Sequence, residues 1–270
     1  MSRTKFIAEI GENHVGKIDI AKDLIEKAAQ SGADYVKFQS YKPESLQKDD
    51  PEYEWFSKVY LSDEVHYILK IHAERNQVEF LSAPFSLERA KFLCEDLDQN
   101  KIKIASGVMM NFEILDYLNS KTIDTIFLST GMATIAEIAE ALKHINNIPN
   151  IYILHCVTQY PCKDEDANLK AILTLQKEFN LPVGYSDHTI GIDACVAAAA
   201  LGASVIEKHF TFDKEYSEGT DHILSATLVE FKEMVDKIGR IEILLGNGIK
   251  QPSESEKEII QFVRTRFQNE

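Results

Sequence analysis

Long apolar runs are missing from this chain of 270 residues. None approaches the roughly 20 residues that a membrane-spanning helix needs, so the sequence argues against a transmembrane segment. The opening residues Met1-Ser2-Arg3-Thr4-Lys5 run straight into a strand-like stretch, without the apolar core and cleavage site of a secretory leader. Basic charge is in short supply: 29 Lys and Arg stand against 43 Asp and Glu, for a formal net charge of −14. A chain with that balance is not built to neutralise nucleic acid phosphates. A few local lysines can still hold a small anion. Cysteine is scarce too. Cys94, Cys156, Cys162 and Cys195 show no CxxC spacing, which reads as reduced structural thiols in a cytoplasmic protein. No GxGxxG or GxxxxGK[ST] loop follows a strand-like run, so a nucleotide-binding open sheet has little support.

What is present is an ordinary globular composition, 44% hydrophobic and 27% charged. The length suits one large α/β barrel or two small domains. Eight short apolar runs, at 5–10, 35–39, 79–82, 101–105, 125–129, 151–156, 183–185 and 205–209, alternate with amphipathic stretches. Ala21, Leu24, Ile25 and Ala28 form one apolar stripe at helical spacing. Leu228, Phe231, Met234, Val235, Ile238 and Ile241 form another. Thr134 with Glu137, and Thr227 with Glu230, have capping-box spacing. Gly32 and Gly202 stand where helices should stop. Eight strand-helix units predict an α/β fold, a (β/α)8 TIM barrel over residues 1–245, with a doubly wound sheet as the alternative. Residues 47–61 are acidic and aromatic, with Tyr53, Trp55, Phe56 and Tyr60, and read as an extended loop after the second strand. Residues 246–270 read as an exit linker followed by a charged helical tail.

In such a barrel, chemistry gathers where strands end. The polar residues fall there: Glu9, Lys37, Gln39, Lys103, Ser106, Ser129, His155, Ser186, Asp187, His188, Glu207 and His209. Lys37 and Gln39 are two apart and share a face; so do Glu207 and His209. An inward lysine is costly unless an anion meets it. Lys37 and Lys103, with hydroxyls at Ser106, Ser129 and Ser186, therefore suggest a phosphate or carboxylate pocket. The bland alternative for Ser106 and Ser129 is helix capping. His155 reads as a satisfied core histidine. His188 and His209 end adjacent strands and suit a shared metal ion with open positions, a Lewis acid toward a carbonyl. Asp187 and Glu207 read either as structural ion-pair partners or as supports for the histidines.

Several segments resemble the sialic acid synthase family. They are Phe6-Ile7-Ala8-Glu9-Ile10-Gly11-Glu12-Asn13-His14, Gly32-Ala33-Asp34-Tyr35-Val36-Lys37-Phe38-Gln39, Lys103-Ile104-Ala105-Ser106-Gly107, Leu128-Ser129-Thr130-Gly131-Met132-Ala133-Thr134, Gly184-Tyr185-Ser186-Asp187-His188-Thr189 and Ile206-Glu207-Lys208-His209-Phe210-Thr211. The resemblance implies a (β/α)8 barrel that condenses phosphoenolpyruvate with an N-acylated amino sugar aldehyde. N-acetylmannosamine is the prototype; relatives make legionaminic or pseudaminic acid. It implies a divalent ion, Mn2+ or Mg2+, on His188 and His209. Phosphoenolpyruvate contacts are implied at Lys37, Lys103, Ser106, Ser129 and Ser186. A catalytic glutamate is implied at Glu9, and amino-sugar contacts at Gln39, Tyr160 and Asp221.

Three positions depart from the family pattern: Val108 stands where an acid is usual, Ala83 where a threonine is common, and Thr158 where an asparagine-like residue is expected. Full-length relatives continue into a small antifreeze-like domain that reaches across a homodimer. Gln251-Pro252-Ser253-Glu254-Ser255-Glu256 and Val263-Arg264-Thr265-Arg266 resemble the entry to that domain, so 246–270 is expected to be its start, with the remainder missing. Two other readings are a synthase using a sugar phosphate aldehyde and a non-catalytic barrel kept as a binding subunit.

Overall fold

Alternation of period two organises the molecule. The computed structural model describes residues 3–217, 219 and 221–266. Its strands are β1 (Lys5–Glu9), β2 (Tyr35–Ser40), β3 (Glu79–Pro84), β4 (Lys101–Ile104), β5 (Thr125–Ser129), β6 (Asn150–Cys156), β7 (Val183–Asp187) and β8 (Val205–His209). All pair in parallel, in the order β3-β2-β1-β8-β7-β6-β5-β4. The ladder pauses only between β3 and β4. There Gln99 Nε2 donates to Ser82 O at 3.3 Å and to Lys101 O at 2.7 Å, and Lys101 pairs with Glu79 at 2.5 Å. The result is a nearly closed (β/α)8 barrel, as expected from the strand count.

One face of each strand is apolar and lies under the helices: Phe6, Ala8, Val36, Phe38, Ile102, Ile104, Ile126, Leu128, Ile153 and Ile206 are all buried there. The other face fills the barrel. Ile7, Tyr35, Leu81, Phe127, Leu154 and Val205 make its inner apolar layer. Gly184 belongs to this layer because nothing larger fits. A Cβ there would lie 2.4 Å from Leu154 Cδ2 and 2.6 Å from Val205 O. Two residues further along the same face, the side chains turn polar: Glu9, Lys37, Lys103, Ser129, Ser186 and Glu207.

The helices follow the sequence signals. Ile18–Gln30 buries Ala21, Leu24, Ile25 and Ala28, and Leu228–Leu245 buries Phe231, Met234 and Ile238. Both expected capping boxes form, at Thr134 and Thr227. Gly32 and Gly202 have φ of +92° and +93°, the left-handed region that ends a helix without a Cβ penalty. Within residues 47–61 a short helix, Tyr53–Val59, forms. Strand β7 runs past the expected end at Tyr185 and takes in Ser186 and Asp187. In the tail, Glu254–Lys257 and Ile260–Thr265 are short exposed helices, and residues 267–270 lie outside the described residues. Among the described residues no helix is long and apolar enough to cross a membrane.

Candidate active site

The polar layer opens into a pocket of about 420 Å³ at the C-terminal ends of the strands. Every site residue expected from the sequence lines it: Glu9, Lys37, Gln39, Lys103, Ser106, Ser129, Tyr160, Ser186, His188, His209 and Asp221. The sequence also left residues out of that set. Glu12, Glu52, Phe56, Phe85, Cys156 and Glu207 line the same pocket. Thr158 lines it as well, whereas Val108 is buried in the apolar core under the helices and Ala83 is fully buried.

Four charged side chains form the floor, all nearly sealed from solvent. Lys37 Nζ lies 3.0 Å from Glu9 Oε2 and 3.5 Å from Glu207 Oε1; Lys103 Nζ lies 3.3 Å from the same Glu207 oxygen. Ser186 donates to that oxygen at 3.2 Å, and Gln39 Nε2 donates to Glu9 at 3.4 Å. Glu207 is thus the acid shared by both lysines and not a partner of His209, although it sits two residues away on the same strand face. Burial works against its charge, but Lys103 and Lys37 outweigh that and hold its carboxyl below the usual range. For Glu9 burial wins over Lys37, so its carboxyl is raised. Burial also acts to lower both lysines. It prevails at Lys103, while at Lys37 Glu207 and Glu9 reverse it.

The two expected metal ligands face each other beside this floor. His188 and His209 rings are 5.4 Å apart at their centroids, and the Tyr160 ring packs against His188 at 4.1 Å, tilted by 34°. Burial lowers both imidazoles, His209 especially, so both are neutral at ordinary pH. His188 Nδ1 lies 2.6 Å from Val157 O. That bond makes Nδ1 the protonated nitrogen and leaves the lone pair on Nε2. Among the described residues, His209 Nδ1 has no hydrogen-bond partner; it is buried 3.6 Å from Asp221 Oδ2. Neutral rings with lone pairs fit a divalent ion. Among the described residues, however, no group of three or more His, Cys, Asp or Glu is arranged to hold one. The protein offers two imidazoles, so water and substrate would fill the other positions.

The capping alternative for the serines fails. Ser106 Oγ accepts from Gly131 N at 3.0 Å, across to the loop after β5. Ser129 Oγ is buried with no hydrogen-bond partner among the described residues, and the helix that follows it is capped by Thr134. Among the described residues, four buried atoms around this one cavity lack a hydrogen-bond partner: Ser129 Oγ, Glu207 Oε2, His209 Nδ1 and Glu9 Oε2, the last ion-paired to Lys37. Buried polar atoms are usually satisfied, so this cluster is where the polar groups of a ligand would find partners.

Asp187 supports the site from behind the sheet and touches neither histidine through its side chain. Because β7 extends to it, alternation turns it outward. There it accepts from Lys208 Nζ at 2.6 Å, Tyr185 Oη at 2.9 Å, Thr189 N at 2.9 Å and Cys195 Sγ at 3.3 Å. His155 also faces outward, stacked on Tyr185, with Nε2 2.9 Å from Ala167 O. It is the satisfied core histidine the sequence suggested.

The chain is similar to known proteins in sequence and in fold. The NeuB family model matches residues 24–250. An uncharacterized protein of Methanocaldococcus jannaschii is 48% identical, over 97% of this chain and 77% of that one. The N,N'-diacetyllegionaminic acid synthase of Campylobacter jejuni is 44% identical, over 98% of this chain and 84% of that one. Among solved structures, the N-acetylneuraminic acid synthetase of Leptospira borgpetersenii, in complex with citrate, superposes with a TM-score of 0.90 at 32% identity, over 99% of this chain and 94% of that one.

Proposed function

The chain belongs to the NeuB family, and from that premise we propose that its barrel condenses phosphoenolpyruvate with an N-acylated amino sugar aldehyde, giving a nonulosonic acid and phosphate. One observation carries the reading. The two buried lysines, three serines, two neutral imidazoles and Glu9 expected from separate stretches of sequence surround a single cavity.

Lys37 and Lys103, with Ser106, Ser129 and Ser186, form the set that binds the phosphate and carboxylate of phosphoenolpyruvate. A sealed floor makes each of those charge interactions stronger than it would be in water. His188 and His209 would hold Mn2+ or Mg2+, which when bound supplies Lewis-acid polarisation of the sugar carbonyl. Carbon 3 of phosphoenolpyruvate attacks the aldehyde carbon, and the aldehyde oxygen takes up a proton as the new C–C bond forms. Positive charge then develops at carbon 2. Glu9 and Glu207, held 3.0 Å and 3.3–3.5 Å from the lysine ammonium groups, are the carboxylates placed to stabilise it. Water adds at carbon 2. Glu9 suits the base for that step, because its raised pKa makes the ionised form a stronger proton acceptor. The C–O bond to phosphate breaks and leaves the 2-keto acid. Gln39, Tyr160 and Asp221 border the part of the pocket left for the sugar.

The test is direct. The protein is incubated with phosphoenolpyruvate, Mn2+ and a panel of mono- and di-acetamido hexoses, and both phosphate and 2-keto acid are measured. Equimolar release of the two with at least one sugar is expected. Binding of phosphoenolpyruvate without product from any sugar would reject the reading in favour of a binding subunit.

A further inference from the structure

The pocket's charges are segregated by depth. Its only lysine or arginine lining among the described residues is Lys37 and Lys103, both strand residues of the floor. The outer wall carries acid instead: Glu12 from the loop after β1, Glu52 from the insertion after β2, and Asp221 from the loop after β8. Glu12 is fixed in place. Trp55 Nε1 donates to its Oε2 at 2.7 Å, and Tyr41 Oη donates to its Oε1 at 3.3 Å. Trp55 is itself seated on the third of these loops. A Cβ at Gly219, whose φ is +89°, would come within 3.0 Å of the indole, so the close approach requires glycine there. One indole therefore ties together the three loops that carry the acidic groups. An anchored carboxylate keeps spare lone pairs for O–H and N–H donors and repels a second anion.

We infer that Glu12, held by Trp55, is a specificity-determining residue that makes the outer pocket select an unphosphorylated sugar aldehyde bearing hydroxyl and amide donors and reject a sugar phosphate. This rests on the condensation reading above for the sugar's presence, and goes beyond it in choosing between neutral and phosphorylated substrates.

The two can be tested separately. The alditols of N-acetylmannosamine and of its 6-phosphate lack the reactive carbonyl, so their binding to the phosphoenolpyruvate-loaded protein is measured without turnover, by calorimetry at about pH 8.5, where Glu12 is ionised. The unphosphorylated alditol is expected to bind at least about tenfold tighter, the size of one unfavourable charge pair at the edge of a pocket. Glu12→Gln and Glu52→Gln should each narrow that ratio severalfold; Glu52 is exposed, so its variant does not depend on an intact core. A purely structural role for Glu12 would weaken both alditols alike and leave the ratio unmoved. Equal or tighter binding of the phosphorylated alditol overturns the inference, as does an unchanged ratio in both variants. Failure of both alditols to bind overturns it together with the condensation reading. Selective binding with no product from the aldehydes supports the selectivity and counts against condensation alone.

Discussion

Glu12 shows how one side chain can carry an electrostatic signal that the rest of the molecule reports. Burial lifts its carboxyl from an ordinary 4.5 to about 7; the Trp55 hydrogen bond opposes this, while Asp221 adds to it, as does Glu52 more weakly. Trp55 is the chain's single tryptophan, and it bonds the carboxylate directly. Its fluorescence is therefore expected to titrate with a midpoint near 7, and the transition should vanish in Glu12→Gln. A flat wild-type profile would show that the pair is not formed. The linkage has a definite sign. The unfolded chain releases the Glu12 proton near 4.5 and the folded chain near 7, so Glu12 subtracts from stability as pH climbs through that window. Glu12→Gln should accordingly gain on the wild type over the same range. Nothing in the sequence marked this residue as special, because one acid in a loop is usually solvated. Glu207 had two readings, an ion-pair partner or a support for the histidines, and the structure bears out the first. Adjacency to His209 suggested a supporting role, but distance along a strand face is less informative than what the neighbouring strands bring opposite. Lys37 and Lys103 both reach Glu207.

Strand β7 is the element where sequence reading and structure part company, and the difference has an energetic consequence. Its apolar signal ends at Tyr185, since serine and aspartate have low strand propensity. The backbone nevertheless continues through Asp187, pairing Ser186 with Glu207 and Asp187 with Lys208. That extension turns Ser186 into the pocket and Asp187 out beneath the helix Asp193–Ala200, where Cys195 meets it. Asp187 and Lys208 are both fully buried side chains at 2.6 Å. Removing one member strands the other charge in an apolar setting, which costs about 3–5 kcal/mol, whereas replacing both by apolar groups is often close to neutral. Lys208→Met alone is thus expected to destabilise strongly in urea unfolding, and adding Asp187→Leu should restore part of the loss. The recovery should be incomplete, because Asp187 also accepts from Thr189 N and thereby shapes the turn carrying His188. If the double variant is no better than Lys208→Met, the pair is not what holds this element.

At the scale of the whole barrel, much was legible because two periodicities coincide. Period two along each strand puts apolar residues on both faces low in the barrel and polar ones on the inner face two positions later, so the order Ile7 then Glu9, Tyr35 then Lys37, and Phe127 then Ser129 already describes a floor and its lining. What could not be read were the loops: the reach of Trp55 to Glu12 and Gly219 depends on how three separate connections meet in space. The same architecture predicts how ligands and stability are linked. Seven of the eight strands contribute a side chain to the pocket, β3 being the exception. A ligand there touches nearly every part of the fold, so it cannot bind after partial unraveling and must stabilise the global native state. Phosphoenolpyruvate or Mn2+ at 100 times its dissociation constant should add about 2.7 kcal/mol, a rise in Tm of roughly 5–10 °C for a barrel of this size. The two ligands should separate by variant. His188→Ala and His209→Ala each remove one of the two imidazoles the protein offers, so the Mn2+ increment should disappear while the phosphoenolpyruvate increment, carried by Lys37, Lys103 and the serines, largely survives. Lys103→Met should do the reverse. Differential scanning fluorimetry reads both without any turnover. A Mn2+ increment that persists in both histidine variants would place the ion elsewhere, and one that is absent from the wild type would remove the metal from the proposed site.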